Sequence, residues 1–453
     1  MRSWVLQSFS HRLPFFDCPT MLCLWHSKKF MATPTDPRLA GRIAFTYPDF
    51  TFYAIARFCI VTALEMQSVA VGWQVYEITK RPLDLGLVGL AQFVPGIVLF
   101  LVAGHAADRF DRRKLVVGCY VGFAICSALL FALAWQGTQA VRPIYIVLVL
   151  VGVVRSFNGT ASRALLPQLV PEEHFANAVA WNASVFQGAT IIGPSIGGLL
   201  YALFHHATPV YGVAVAVGLF AAVLAVRIRL RPVLRKREPI SLATVLAGFR
   251  YIWDHKIVLG SISLDMFAVL LGGAVALLPI YAREILRTGP WGLGLLRSAP
   301  GVGAAIMAIV LAHYPLQRRA GPALLWSVAG FGVFTIVFGL SHNLVLSLSA
   351  LVLVGASDMI SVVIRATLVQ LATPDAMRGR VIAVDMIFIG TSNQLGEFES
   401  GLTAQWFGTV PAVVLGGVGT LAVIALWAWL FPELRRADRL TGFEVEPARD
   451  QAT

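Results

Sequence analysis

The stretch "GHAADRFDRRKL", residues 104–115, places six charged side chains between two long apolar blocks. The block before it covers residues 83–105, and the block after it covers residues 115–135. A helix needs about 20 apolar residues to cross roughly 30 Å of hydrocarbon. The stretch therefore predicts a polar loop that joins two membrane-spanning helices.

The rest of the chain repeats this pattern. Of 453 residues, 57% are hydrophobic and only 13% are charged, with a mean hydropathy of +0.74. A soluble protein of this length needs more polar surface to cover its core. We predict an all-α polytopic membrane protein with twelve transmembrane helices, near residues 51–76, 83–105, 115–135, 143–166, 177–202, 208–228, 257–281, 291–312, 322–341, 344–367, 379–403 and 409–431.

The net charge of +12 falls mostly in alternate loops. The richer set lies at residues 109–114, 227–237, 318–319 and 378–380. Loops rich in Lys and Arg stay on the cytoplasmic side, so this asymmetry predicts that both termini are cytoplasmic. On a soluble protein the same charge would suggest nucleic acid. Here it indicates topology, and no nucleic-acid partner is expected.

The loops divide the chain into five segments. Arg12, Pro14 and Asp17 interrupt any apolar region of a signal peptide. Residues 1–30 are therefore either an over-long gene start before Met31 or a genuine extension. The predicted segments are a cytoplasmic N-terminal region (1–50), a first six-helix half (51–230), a basic cytoplasmic linker with an amphipathic helix (231–256), a second six-helix half (257–431) and a cytoplasmic tail (432–453).

Two pairs of short stretches indicate an internal repeat. "RALLPQL" (163–169) aligns with "RATLVQL" (365–371), and "GPSIGGL" (193–199) aligns with "GEFESGL" (396–402). Both pairs fall on the fourth and fifth spans of each half. A parallel repeat of this kind is typical of transporters whose halves are related by an axis along the membrane normal.

The opening loop resembles the loop signature of the major facilitator superfamily, G-x-L-A-D-R-x-G-R-[KR]. Its Leu and second Gly are replaced by Ala106 and Asp111. "RSFNG" (155–159) and "GPSIGG" (193–198) resemble two further signatures, and the resemblance covers residues 45–435. The residues that match the loop signature are Gly104, Ala107, Asp108, Arg109, Arg112 and Arg113.

The resemblance implies roles for these motifs. Asp108 and Arg112 would latch the cytoplasmic face, with Asp108 at the N-terminal end of the eleventh helix, where a carboxylate suits the helix dipole. The fifth helix would hinge on its small residues, which allow close packing: Gly193, Pro194, Gly197 and Gly198. Residues 66–79, 162–171 and 396–401 look like the branch that includes the bacterial enterobactin exporter. That likeness implies export.

Charged residues within spans are costly and often functional. In this fold the first, fourth, seventh and tenth spans line a central cavity. The candidates for transport and proton coupling are Glu65, Arg155, Asp265 and Asp358, with Arg155 as the cationic partner. Arg57 and Arg365 lie near cytoplasmic span ends, where they could instead snorkel to water.

The eleventh span carries an acidic site of three residues, Asp385, Glu397 and Glu399. Glu397 and Glu399 are two residues apart and cannot share a helical face. We expect one of them to face the cavity or a helix interface and the other to approach the outer vestibule. Trp73, Tyr76 and Trp181 are candidate aromatic contacts for cargo.

These features predict a proton-coupled exporter of a small amphipathic molecule, a siderophore or a drug, by alternating access in a bacterial inner membrane. The alternatives are an importer or lipid flippase on the same fold, or a non-transporting receptor. An enzyme, a cofactor and a metal site are not expected, because no nucleotide-binding, Ser/His or metal-ligand spacing occurs. The expected partners are cargo, protons and the lipid bilayer, and a monomer is expected.

Overall fold

The computed structural model describes residues 41–230, 242–316 and 319–436, and every regular element within them is helical. The chain divides into two compact units, Met1–Ile43 and Ala44–Thr453, and all spans lie in the second. We label the spans α1–α12. The alternative starts of the chain, most of the basic linker and the end of the tail lie outside the described residues.

The first half contains six spans, of which the second is broken. Several begin with proline in their first turn, where the missing N–H would have no helical partner. Asp111 caps α3 by accepting a hydrogen bond from the backbone N–H of Lys114 at 3.1 Å. The spans are α1 (Pro48–Thr79), α2a (Pro82–Val98) with α2b (Phe100–Arg109), α3 (Arg112–Trp135), α4 (Arg142–Leu165), α5 (Phe175–Phe204) and α6 (Thr208–Arg227).

The second half follows a linker helix, Leu242–Asp254. Its first span ends in a π-helical turn, Tyr281–Ile285. Asn343 caps α10 by accepting hydrogen bonds from the N–H groups of Val345 and Leu346. The spans are α7 (Lys256–Ile285), α8 (Gly289–His313), α9 (Ala320–Leu340), α10 (Leu344–Ala372), α11 (Asp375–Phe407) and α12 (Thr409–Leu430), before a short helix, Pro432–Arg436.

Ten of these helices are long and apolar enough to cross a membrane by length and composition. The two exceptions have physical reasons. In α2a, Pro95 removes a helical hydrogen-bond donor three residues before the helix ends at Val98, so α2a has only 17 residues. In α11, Asp375, Arg378 and Arg380 near one end, together with Asp385 and the two glutamates, lower the hydropathy. The predicted twelve-helix architecture is confirmed.

The two halves use the same helix pairs. In the first half, α1 packs on α5 and α6, α3 on α4 and α6, and α2a on α4. In the second half, α7 packs on α11 and α12, α9 on α10 and α12, and α8 on α10. Adding six to each label of the first set gives the second set. The structure thus agrees with a repeat of six spans.

The halves meet mainly through two crossings, α5 with α8 and α11 with α2a, which the repeat makes equivalent. A Cβ on Gly198 would lie 2.9 Å from the N and Cα of Gly294 and 2.5 Å from the oxygen of Pro290. A Cβ on Gly401 would lie 2.9 Å from the N and Cα of Gly86 and 3.0 Å from the oxygen of Pro82. We call these four residues the gate glycines: Gly86, Gly198, Gly294 and Gly401.

The gate glycines lie on one side of the bundle. The α2–α3, α6–α7 and α10–α11 connections lie at the end where α1 begins, which we call the basic end. The gate glycines lie nearer the other end, which we call the opposite end, because α2a and α8 begin there and α5 and α11 end there. Backbone contact through glycine therefore holds the halves together at the opposite end.

Candidate transport site

A cavity of about 770 Å³ lies between the halves. Residues of α1, α2a, α4, α5, α8 and α11 line it. Its wall is mixed, with apolar side chains such as Leu148 and Ile389 beside polar and charged ones. The polar and charged lining residues are Glu65, Gln67, Ser68, Gln92, Arg155, Ser156, Arg163, Arg297, Asn393, Gln394 and Glu397.

Five charged side chains face this cavity without neutralising one another directly. They are two carboxylates and three guanidinium groups: Glu65, Glu397, Arg155, Arg163 and Arg297. Among the described residues, no ion pair within 4.0 Å joins any of them to an opposite charge. The charges that act most strongly on Glu397 are those of Arg297, then Arg155, then Glu65. The cavity thus presents separated charges of both signs to an occupant.

Glu397 occupies a notch in α2a. A Cβ on Gly89 would lie 2.4 Å from Oε2 and 3.1 Å from Cβ of Glu397, so a larger residue there would displace the carboxylate. Glu399 points elsewhere, since its carboxylate accepts a 2.6 Å hydrogen bond from the hydroxyl of Thr403 on the same helix. One glutamate therefore faces the cavity and the other does not.

Asp385 lies apart from both glutamates and belongs to a buried ionic cluster of the second half. The guanidinium of Arg365 on α10 lies 2.6 Å from Oδ1 of Asp385 and 3.3 Å from Oδ2 of Asp265 on α7. Ser361 donates to Asp265 at 3.3 Å. The side chain of Arg365 is only 3% exposed, so the snorkelling alternative is wrong for this residue. Arg365, not Arg155, is the cation paired with Asp265.

Asp358 lies near this cluster, two helical turns before Arg365, and the charges of Asp265 and Arg365 act on it. Asp265 and Asp358 are not among the residues that line the cavity. The sequence predicted both to face it together with Glu65 and Arg155. The structure brings only the last two there, because the two aspartates gather around a cation that the prediction assigned to the span end.

The α5 motif packs on both halves. A Cβ on Gly193 would lie 2.6 Å from Cβ of Glu65, and one on Gly197 would lie 2.7 Å from the oxygen of Met66. Pro194 offers its carbonyl to the face of Gly294 on α8. The motif therefore joins the cavity-lining part of α1 to the crossing between halves. Its role as a hinge stays a prediction.

The loop signature is only partly described, because the side chain of Asp108 lies outside the described part of the chain. Arg112 donates to the oxygen of Ala164 at 3.2 Å, and Arg113 donates to the oxygen of Ile228 at 2.9 Å. Both bonds stay within the first half. Arg109 is exposed, and a Cβ on Gly104 would have nothing within 4 Å. The latch between halves stays a prediction.

A polar link between the halves lies at the opposite end, and the sequence did not reveal it. Glu77 on α1 lies 3.4 Å from Arg283 in the π-helical turn of α7 and accepts a 3.0 Å hydrogen bond from Tyr201 on α5. Tyr76 donates a short hydrogen bond to Glu284. We call these five residues the end clamp. At span ends, such charges look like ordinary loop residues, which is why sequence reasoning missed them.

The aromatic residues proposed as cargo contacts are also placed elsewhere. Trp73 lies under the guanidinium of Arg283, 5.5 Å from its ring centroid, and Tyr76 belongs to the end clamp. Trp181 packs edge-on against Phe45 at 4.9 Å. Two other aromatic side chains line the cavity instead, Phe93 and Phe186.

The comparisons with known proteins agree with this architecture. A family model described as Major Facilitator Superfamily matches residues 53–397. The enterobactin exporter EntS of Shigella boydii serotype 4 (strain Sb227) is 29% identical over 401 residues, covering 86% of this chain and 94% of that protein. EntS of Escherichia coli O157:H7 (strain EC4115 / EHEC) is 29% identical over 402 residues, with the same coverage.

Solved structures show the same fold at low identity. A bacterial homologue of the human lysosomal transporter Spinster, inward-facing and occupied, gives a TM-score of 0.66 at 12% identity, covering 86% of this chain and 97% of that one. A D-xylose–proton symporter gives 0.64 at 15% identity, covering 85% and 98%. These likenesses concern the fold alone.

Proposed function

The chain belongs to the major facilitator superfamily, and from this premise we propose that it is a proton-driven exporter of a small amphipathic organic molecule. It is a multi-pass membrane transporter of small-molecule cargo. Export is proposed because its 29% identical relatives are named exporters. The basic loops support a cytoplasmic location of both termini, and the bacterial relatives support a bacterial inner membrane.

The cavity supports an amphipathic cargo. Phe93, Phe186 and aliphatic side chains offer apolar contact, while the separated charges offer strong hydrogen bonds to polar groups. Three guanidiniums against two carboxylates favour a cargo with anionic or hydroxyl-rich groups. A siderophore or a drug of that chemistry is the proposed class.

The observation that carries proton coupling is the pair of ion contacts that Arg365 makes with Asp265 and Asp385. Two carboxylates thus share one buried guanidinium, and the charges of Asp265 and Arg365 act on a third carboxylate, that of Asp358. Uncompensated buried charges are expensive, so we propose that the cluster is the place where the transporter binds a proton. Three helices supply its members, α7, α10 and α11. Motion among them changes the surroundings of each carboxylate and hence its affinity for a proton.

The test is cargo transport in everted vesicles with an imposed pH gradient, with enterobactin as the first cargo. Asp358→Asn should abolish transport driven by the gradient and spare downhill exchange of cargo, since the cavity is unchanged. Glu433→Gln is the matched control, because that carboxylate is exposed at the basic end. Gradient-driven transport that survives in Asp358→Asn and Asp265→Asn would refute coupling at this cluster.

The alternatives make different predictions in the same vesicles. An importer or a lipid flippase on this fold would move cargo in the other direction or move labelled lipid between leaflets. A non-transporting receptor would show no counterflow of any labelled cargo. Measuring the direction of flux in oriented vesicles therefore separates the proposal from both.

A further inference from the structure

One arginine that the transport proposal leaves unused, Arg57, lies near the basic end of the cavity, where Arg163 lines the wall. Arg57 lies on α1, eight residues before Glu65, and Arg163 lies near the end of α4. Arg163 is exposed and lines the cavity together with Phe186 of α5. The two arginines come from different helices. The sequence places each of them near the end of a span but does not show that they lie in the same part of the cavity.

The contacts of Arg57 turn it toward this corner of the cavity. Its guanidinium lies 5.6 Å from the ring centroid of Phe186, and its Nη1 donates to the hydroxyl of Tyr53 at 3.4 Å. Tyr53 in turn donates to the oxygen of Ser162, the neighbour of Arg163, at 3.5 Å. The Nε of Arg57 is buried and has no hydrogen-bond partner. This donor inside the protein is one that an anionic ligand can satisfy.

No anion balances this pair. Among the described residues, neither guanidinium forms an ion pair with a carboxylate within 4.0 Å. The charge that acts on Arg163 is that of Arg57. The partner of Arg163 across the cavity is the sulfur of Met386 at 3.5 Å, a weak acceptor. A buried guanidinium donor without a partner, near a second arginine that has no carboxylate beside it, is unfavourable unless an anion joins them.

We propose that Arg57, Arg163 and Phe186 form a subsite for an aromatic anion at the basic end of the cavity. The guanidiniums supply planar donors for a carboxylate or catecholate, and the ring of Phe186, which is 43% exposed, supplies a face for the aromatic part. The proposal rests on the proposed transport function, because it assigns the subsite to cargo. The subsite adds to that function the chemical class of one group on the cargo, an aromatic anion.

Direct binding tests the subsite without any pH gradient, so its outcome is independent of proton coupling. The purified full-length chain in phosphatidylcholine nanodiscs is titrated calorimetrically with salicylate and with salicylamide, its neutral analogue. Salicylate should bind more tightly than salicylamide. Arg57→Gln and Arg163→Gln should each raise the Kd for salicylate by about tenfold or more, the usual worth of a hydrogen bond to a charged group. Neither change should alter the Kd for salicylamide.

Matched variants separate the subsite from general effects of charge. Arg142→Gln removes an exposed arginine at the other end of α4, so it should leave salicylate binding unchanged. Arg163→Lys keeps the charge but not the planar fork and should lose only part of the affinity. Because Arg163 is exposed, its variants test the subsite even where a change at Arg57 impairs folding.

Two results would overturn the proposal. The first is an unchanged Kd for salicylate in both glutamine variants, or an equal loss in Arg142→Gln. The second comes from nanodiscs that contain phosphatidylglycerol. If this lipid weakens salicylate binding as much as Arg57→Gln does, a lipid headgroup occupies the site and the cargo subsite is refuted. An unchanged Kd in that lipid supports the subsite.

Discussion

The gate glycines allow a quantitative prediction about alternating access. Gly198→Ala and Gly401→Ala each add one methyl group at a crossing where the two halves touch through backbone atoms. The new Cβ would lie 2.9 Å from the N and Cα of the facing glycine in both cases. Carbon atoms pack best at about 3.5–4.0 Å, so the helices must separate by roughly 0.6–1 Å at each crossing.

The cost of this overpacking is about 1–3 kcal/mol. It applies only to the state in which the opposite end is held together, because the crossings part when that end opens. The equilibrium should therefore shift roughly 5- to 150-fold toward the state that is open there. Alanine also favours helix over glycine by about 1 kcal/mol, so the change should not lower the overall stability of the helices.

Distances between spin labels measure the shift. Labels at Gln139, in the α3–α4 connection, and His342, in the α9–α10 connection, are exposed and lie at the opposite end on different halves. Double electron–electron resonance in a cysteine-free background should show a larger long-distance population in both alanine variants than in the parent. Gly118→Ala is the matched control, since a Cβ there meets nothing within 4 Å.

Label distances in Gly198→Ala and Gly401→Ala that equal those of Gly118→Ala would refute the predicted shift. A response at only one crossing would refute it as well. The repeat gives both crossings the same N and Cα distances from the added Cβ, so the two variants should shift the equilibrium in the same direction. A lower melting temperature without a change in distances would indicate misfolding rather than opening.

Two smaller effects are predicted for carboxylates at the same end. Glu77→Gln removes the ion pair with Arg283, whose side chains are 47% and 30% exposed, so it should shift the label distances by at most about fivefold, the value of an exposed pair near 1 kcal/mol. A shift larger than that of the glycine variants would contradict this ranking. Glu397→Gln should change cargo affinity, measured by calorimetry, while Glu399→Gln should not, because only the former lines the cavity. Equal changes in both would contradict the assignment.

The fold was predictable because the membrane imposes a strong rule on sequence. Every backbone polar group within the hydrocarbon must form a hydrogen bond inside the protein, so the spans are helices. The thickness of the hydrocarbon sets the length of the apolar block that each span needs. Even α11, which carries several charged residues, was predicted as a span, because apolar residues lie on both sides of its glutamates. The break of α2 at Leu99 was not predicted, although Pro95 was a readable signal. The repeat was also predictable from the sequence, because residues 193–199 align with 396–402. This alignment pairs Gly198 with Gly401, and the two glycines make equivalent contacts.

The site was only partly predictable, because pairing depends on which helix faces which. Glu65, Arg155 and Glu397 reach the cavity, as expected for at least one glutamate. The partner of Asp265 was missed, since Arg365 lies 100 residues later. The spacing of residues within one helix cannot show that α7 and α10 meet. Arg297 was missed as well, because it lies between apolar residues near the start of α8 and no motif marks it.

The repeat and the charges carry different parts of the mechanism. Gly152 on α4 and Gly355 on α10 make equivalent contacts, with backbone oxygens of α2a and α8. Three residues beyond each lie Arg155 and Asp358, so equivalent positions hold opposite charges. The repeat supplies matched backbone contacts between helices, while this difference places a cation at the cavity in one half and a carboxylate near Arg365 in the other. A symmetrical pair of sites would have to bind cargo and protons with the same groups. Under the proposed function, the asymmetry assigns cargo and protons to separate sites, and we expect motion at the shared crossings to couple one site to the other.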